Sequence, residues 1–329
     1  MKKTRAYLLI LLGIAITITA CKKEDPIVDV PATPGTTNPP VTNPPADPTG
    51  DPIALKNFFI DNEKQGIQQF SIDVANPQLI TGNGGLQLQF YPNAFETAAG
   101  ASVTGNVDIE LIEIYEKTDM ILMNKPTMGQ NWNGLAPLVS AGEFKITASQ
   151  NGNELELKQW NSYSATIPAA NGIDPNMELF YGSNANDTLI WVPADSSLIG
   201  GQGNAYTALF DSLGWINCDI FMNDPNPLTN VDVEIPTGFT NQTCALYVSF
   251  DGLNSVTSFY NYANSIYSSG PSYQLPTGLN VHFIAVAVIN NVPNATIVSS
   301  TITANHYEII PALTATTLAQ LTADIQALP

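Results

Sequence analysis

Two histidines, His282 and His306, are the only side chains in this sequence whose ordinary titration falls near neutral pH. His282 lies in the run Val281-His282-Phe283-Ile284-Ala285-Val286-Ala287-Val288. At the two-residue period of a strand it shares a face with Ile284, Val286 and Val288, which predicts a packed core histidine. His306 and Glu308 project to one side of an extended segment. That is the arrangement of a base and the carboxylate that orients it, but no nucleophile can be paired with them. Asp108 and Glu110 also share a face, and two carboxylates are what glycoside hydrolysis needs. The solvent face of a half-buried strand is the plainer reading of the same alternation. Glu113 and Tyr115 share the opposite face. Asp219, Asn223, Asp224, Asn226 and Asp232 crowd a proline-containing loop, and oxygen-rich loops hold Ca²⁺. Their spacing fits no EF-hand, and Asn-Asp-Pro is ordinary turn chemistry. H-E-x-x-H, G-x-S-x-G and paired C-x-x-C motifs are absent. The expectation is a protein that is not an enzyme, with no catalytic set and no cofactor beyond the Asp219, Asp224 and Asp232 candidates for calcium.

The three cysteines divide into one near the start and two in the body. Cys218 and Cys244 would pair as a disulfide in an oxidising compartment, or stand as two buried thiols; both readings are open. Aromatic side chains offer a different chemistry, the stacking of ligand rings. Trp132, Trp160, Trp191 and Trp215 could line such a platform together with Tyr260, Tyr262, Tyr267 and Tyr273. Trp191 and Trp215 sit in strand-like runs and read as core. The stretch from Ser255 to Tyr273, rich in Ser, Tyr and Asn, reads as a surface loop. Trp132, Tyr260, Tyr262 and Tyr267 are the expected ligand surface.

The elements that carry these groups begin with an address. Lys2, Lys3 and Arg5 form a basic start, Leu8 to Ile18 is apolar, and Ile18-Thr19-Ala20 places small residues before Cys21. This pattern is that of a secretory signal peptide. With the cysteine at the cleavage point it resembles a bacterial lipoprotein signal, which implies cleavage after residue 20 and acylation of Cys21. Lys23-Glu24-Asp25 is similar to the surface-export signal of Bacteroidetes lipoproteins, which implies display on the outer membrane with the lipid as membrane partner. Residues 26 to 52 hold nine prolines, and Thr37-Asn38-Pro39-Pro40 recurs as Thr42-Asn43-Pro44-Pro45. Such a segment buries no core and favours polyproline II. At ~3.1 Å per residue it reaches about 80 Å, enough to lift a folded body off a lipid surface.

The 20 residues before Cys21 contain three of the 11 basic residues and none of the acidic ones. This leaves 8 against 29, a net charge of −21. Nucleic acid is a poor partner for such a chain, since phosphate recognition rests on Lys and Arg. A protein or a glycan is the expected ligand.

Period-two alternation punctuated by Gly, Asn and Pro runs through the remainder. Strands are predicted at Leu86 to Phe90, Val107 to Tyr115, Glu143 to Ala148, Glu154 to Leu157, Tyr163 to Ile167, Met177 to Tyr181 and Thr188 to Val192. A second set covers Tyr206 to Phe210, Trp215 to Asp219, Val231 to Ile235, Ala245 to Phe250, Val281 to Ile289 and Thr296 to Thr303. The prediction is an all-β chain of two β-sandwiches, over residues 54–199 and 200–312, with the boundary near 194 to 205. They follow the signal peptide (1–20) and the lipidated tether (21–53). A C-terminal helix over 313–329, capped by Thr314 or Thr316, aligns Leu318, Leu321, Ile325 and Leu328 on one face.

Several turns and core positions carry a resemblance. Phe90-Tyr91-Pro92-Asn93-Ala94-Phe95, then Gly100, Val103, Gly105 and Val107, then Gly142-Glu143-Phe144-Lys145-Ile146, then Gly152 and Leu155, are similar to the motif order of ZU5-type β-sandwiches. Gly214-Trp215-Ile216-Asn217-Cys218-Asp219 resembles a signature found after such domains in secreted and surface proteins. The resemblance implies a sandwich fold and gives no activity. His282-Phe283-Ile284 lacks the hydroxyl of a self-cleaving site.

Overall fold

A computed structural model of the chain describes residues 49–158, 163–170, 172–185, 188–194 and 199–329. Cys21, Lys23, Glu24, Asp25 and Trp160 lie outside the described residues.

Alternating apolar residues build four principal sheets. A nine-stranded sheet runs in the order Gln68–Asp73, Asn106–Ile114, Gly134–Gln150, Gly214–Phe221, Glu178–Ala185, Thr188–Pro193, Met128–Asn131, with Phe95–Thr97 and Asn153–Leu157 off this path. A five-stranded sheet orders Ile199–Gln202, Ala205–Phe210, Tyr163–Pro168, Gln87–Phe90 and Gln78–Thr81. Between them lies a core with Val107, Ile109, Leu111, Phe144 and Ile146 from the first sheet and Leu88, Phe90, Tyr163, Tyr206 and Phe210 from the second. Phe90, Tyr163 and Phe210 stack in sequence at 5.2 and 5.4 Å between ring centroids.

The second pair is smaller. Asn261–Ala263, Ile266–Ser268, Val231–Glu234 and His306–Ile309 form a four-stranded sheet. Val256–Ser258, Cys244–Phe250, Asn280–Ile289, Val292–Thr301 and Thr314–Ala315 form a five-stranded one. Val231, Val233, Leu246, Val248, Val281 and Phe283 meet in their shared core.

A third apolar layer joins the two pairs. Ile112, Ile114, Leu138, Phe180, Trp191 and Trp215 come from the nine-stranded sheet, and Tyr247, Ile284, Val286 and Val288 from the five-stranded sheet of the second pair. Three helices contribute Leu55, Met120, Ile121, Leu122, Leu321 and Ile325. Both of those sheets are therefore apolar on two faces. That explains why Asn106–Ile114 alternates exposed and buried as far as Glu110 and then buries Leu111 and Ile112 in succession. The described residues, from Thr49 onward, belong to one compact unit.

The boundary expected near 194 to 205 is moved by the sheet pairing. Ala205–Phe210 pairs with Tyr163–Pro168, and Gly214–Phe221 with Gly134–Gln150, so residues 199–221 complete the first pair of sheets. The Gly200-Gly201-Gln202 stretch is a strand of a hairpin that turns at Gly203.

Two of the helices were not predicted. α1, Pro52–Gln65, starts at the last proline of the proline-rich 26–52 segment. Asp51 Oδ1 accepts hydrogen bonds from the backbone N–H of Ile53 and Ala54, and Pro52 occupies the first helical position, where its missing N–H costs nothing. α2, Lys117–Leu122, is a short helix with four buried residues. α3, Leu318–Gln326, is the expected C-terminal helix, with Leu321 and Ile325 buried and Leu318 and Leu328 packed beside them. Its cap is Thr317, whose Oγ accepts from the Gln320 N–H at 3.1 Å, in place of Thr314 or Thr316.

Gly142 shows how the first sheet closes. Its φ is +151°, and a Cβ there would lie 2.4 Å from the Tyr115 ring. Tyr115 in turn donates to Glu113, whose carboxylate also accepts from Gln68 and from the backbone N–H of Gly84 and Leu86. This carboxylate holds the Gly82-Asn83-Gly84-Gly85 turn against the strand. Gly142→Ala combines an unfavourable backbone conformation with a clash, a cost of about 1–3 kcal/mol before any repacking. A fall in Tm of about 2–10 °C is expected by calorimetry; an unchanged Tm would contradict the packing of Tyr115 on Gly142.

Candidate functional site

A groove of about 850 Å³ lies between α1 and the second pair of sheets. α1 contributes Leu55, Phe59 and Glu63, the turn after α2 contributes Met123 and Lys125, and the far wall holds Leu246, Phe259, Tyr260 and Tyr267. Local structure explains each wall. Phe59 is held edge-on to Tyr247 at 6.4 Å. Tyr267 donates its hydroxyl to the Cys244 carbonyl at 2.7 Å, which fixes the ring. Tyr260 lines the same groove, but its hydroxyl is buried away from solvent and has no hydrogen-bond partner among the described residues. A buried hydroxyl without a partner is costly.

An ion-pair knot secures α1 at one end of the groove. Glu63 takes Lys125 Nζ at 2.9 Å on one oxygen and Lys145 Nζ at 2.9 Å on the other. Both ammonium groups lie over the Trp215 ring, at 5.1 and 5.5 Å from its centroid. Burial raises the Glu63 pKa, but the hydrogen bonds and charges of the two lysines outweigh it and hold the carboxyl below its usual range.

The expected ligand surface is thus divided. Tyr260 and Tyr267 meet in the groove. Tyr262 packs behind, edge-on to Tyr267 at 5.1 Å, with its hydroxyl on the Phe239 carbonyl. Trp132 stands elsewhere, 92% exposed at the tip of the hairpin Met128–Asn131/Gly134–Gln150. Trp191 and Trp215 are core, as expected, in a T-shaped pair. The Ser255–Tyr273 segment is a set of short strands rather than a surface loop, with Ser255, Thr257 and Phe259 buried. Its polar composition hid a strand that uses Ser255 and Thr257 inside the protein.

Other candidate chemistry is dispersed. Cys218 and Cys244 are both free and buried. They do not form the disulfide, because Cys218 packs into the core of the first pair of sheets and Cys244 into that of the second. Burial pushes both thiols up, Cys244 to about 12, so neither supplies a thiolate at neutral pH. Of the calcium candidates, Asp219 is fully buried, Asp224 caps the Asn226 N–H, and Asp232 accepts from Ser268. Among the described residues no group of three or more His, Cys, Asp or Glu is placed to hold a metal ion. Asp108 and Glu110 are exposed, with Glu110 meeting Gln69 at 3.4 Å. His282 lies on the predicted strand face but only half-buried, and its Nδ1 is 2.8 Å from Asp251. His306 is buried, stacked on Phe283 at 5.5 Å, with Nε2 3.5 Å from Glu308.

One cluster escaped the sequence. Ser140, Glu143, Asn217 and Asp219 are buried together across the paired strands Gly134–Gln150 and Gly214–Phe221, where a bulge at Cys218/Asp219 shifts the register. Ser140 donates to Asn217 Oδ1 at 3.0 Å, and Asn217 Nδ2 donates to Asp219 at 2.6 Å. Neither Glu143 oxygen has a hydrogen-bond partner among the described residues. Burial, then the charge of Asp219, raises Glu143 well above the carboxylate range; burial pushes Asp219 up to about 8 against its hydrogen bonds from Ser140 and Asn217. The only signal in the sequence was acidic residues in strands now known to be covered on both faces.

Compared with known protein families and with curated proteins, the chain matches none.

The acid pair makes a pH prediction. The folded chain retains protons on these carboxyls that the unfolded chain releases above about pH 4. Their contribution to stability is complete below that pH and is lost as pH rises through the folded value, about 8 for Asp219. Tm should therefore decline from pH 5 to 8. Glu143→Gln should flatten that decline and raise Tm at pH 8 by several degrees. An unaltered pH slope in the variant would remove Glu143 from this role.

Proposed function

We propose that this chain is a non-enzymatic, lipid-anchored protein of the bacterial cell surface that captures a ligand in the groove under α1. The observation that carries the binding reading is the groove itself, with aromatic walls formed by Phe59, Phe259, Tyr260 and Tyr267. The anchor reading rests on the basic start, the apolar run and Cys21, with Lys23-Glu24-Asp25 directing display on the outer membrane. The proline-rich segment then acts as a tether for a ZU5-like β-sandwich body used in adhesion, scaffolding or ligand binding. The strong negative charge argues against nucleic acid.

A second reading is a carbohydrate-binding accessory lipoprotein of a glycan-uptake system. The aromatic walls of the groove and the exposed Trp132 ring favour it, since both offer flat apolar faces to sugars. The hydrolase reading draws no support from Asp108 and Glu110, which stand exposed on an open sheet face.

Binding of the full-length protein to a glycan array tests the location. Tyr260→Ala should weaken binding about tenfold or more, and Trp132→Ala should leave it within about twofold. The reverse outcome would move the site to the hairpin tip. Fatty-acid labelling should be lost in Cys21→Ser; a labelled variant would overturn the anchor.

A further inference from the structure

We infer that this chain associates with a second copy of itself through the outer face of the five-stranded sheet of the first pair. The inference does not rest on the groove.

Composition singles out that face. Its strands, Ile199–Gln202, Ala205–Phe210, Tyr163–Pro168, Gln87–Phe90 and Gln78–Thr81, contain no Asp, Glu, Lys, Arg or His. Other sheets turn acid outward: Asp108 and Glu110 are exposed on the nine-stranded sheet, and Asp232 and Glu234 are half-buried on the four-stranded one. Alternation sorts the uncharged strands cleanly. Ile80, Leu88, Ala165, Ile167, Tyr206 and Phe210 enter the core, and the residues between them face out. Directly opposite residues share a face. Leu79, Gln89, Ser164 and Leu209 oppose one another in one row across four strands, and Thr81, Gln87, Thr166 and Thr207 do so in the next. Leu79 is 58% exposed and Leu209 52%.

Charge selects the occupant. The whole sequence has a net charge of −18, so two copies repel wherever their acidic faces meet. A charge-free face lets one copy approach another without that repulsion, and a basic partner gains nothing there. The two rows hold no aromatic side chain, so a sugar ring has nothing to stack on. Two-fold packing needs a surface complementary to itself, and the leucine row supplies one. An axis along the strands, midway between Gln87–Phe90 and Tyr163–Pro168, sets Leu79 of each copy against Leu209 of the other. At ~4.8 Å between strands and ~3.3 Å per residue the face measures roughly 20 by 20 Å. That is at the small end of stable interfaces, which bury ~800 Å² on each partner. The dimer is therefore weak and reversible, and copies tethered to one surface associate more readily than free ones.

Sedimentation of the full-length protein carrying Cys21→Ser, so that no lipid contributes, tests the pairing. A concentration series should pass from monomer to dimer. Added salt should tighten the dimer, because screening removes repulsion and no ion pair is lost. Leu209→Asp, and separately Thr207→Asp, should weaken association about tenfold or more, with circular dichroism unchanged. Ile309 is 60% exposed on the four-stranded sheet, and Ile309→Asp should leave association within about twofold. A short bismaleimide should join a mixture of Leu79→Cys and Leu209→Cys proteins but neither variant alone. A chain that stays monomeric throughout the series, a dimer that salt dissociates, or equal weakening by Leu209→Asp and Ile309→Asp would overturn the inference. Cross-linking within one variant but not in the mixture would overturn the two-fold arrangement.

Discussion

The apolar layer between the nine-stranded sheet and the five-stranded sheet of the second pair is the constraint on which the structure depends. It receives Trp191, Trp215, Phe180 and Leu138 from one side and Tyr247, Ile284, Val286 and Val288 from the other. The three helices among the described residues rest on it through Leu55, Met120, Ile121, Leu321 and Ile325. Burying a large apolar side chain is worth ~1.5–3 kcal/mol, so this layer outweighs any surface ion pair. It also places α1 beside the strand Cys244–Phe250, and the space left between them is the groove.

Polar groups at the edges of that layer fix orientation rather than supply the main stability. The Trp191 indole N–H donates to the Pro126 carbonyl at 3.1 Å, and Asn254 donates to the carbonyls of Tyr115 and Ser140. Glu63, Lys125 and Lys145 pin α1 over Trp215. Lys125 also lowers the pKa of the buried Glu143, opposing its desolvation, and so links the groove to the protonated carboxyl pair.

Strand positions were legible because alternation survives wherever a sheet has one wet face, as at Leu86 to Phe90 and Tyr163 to Ile167. The domain boundary was not, because pairing between Gly214–Phe221 and Gly134–Gln150 leaves no mark in a local window. α1 carried a readable start, Asp51 followed by Pro52, but Leu55 and Asn62 are its only buried residues and its apolar stripe is weak. The proline count of the preceding segment masked it. Of the expected ligand surface, Tyr260 and Tyr267 line the groove, whereas α1, which forms the opposite wall, was absent from the prediction. The even number of body cysteines left a disulfide and two buried thiols both open, and the separate cores of Cys218 and Cys244 decide for the thiols.

Hydrogen exchange on Phe180→Ala tests the shared layer most directly. Phe180 is a fully buried member of that layer on the Glu178–Ala185 strand. If the layer unites the body, protection should fall together in Gly214–Phe221 and in Asn280–Ile289, which lie in different sheets. Protection lost in the first strand alone, with the second unchanged, would show two independent bodies and contradict the account.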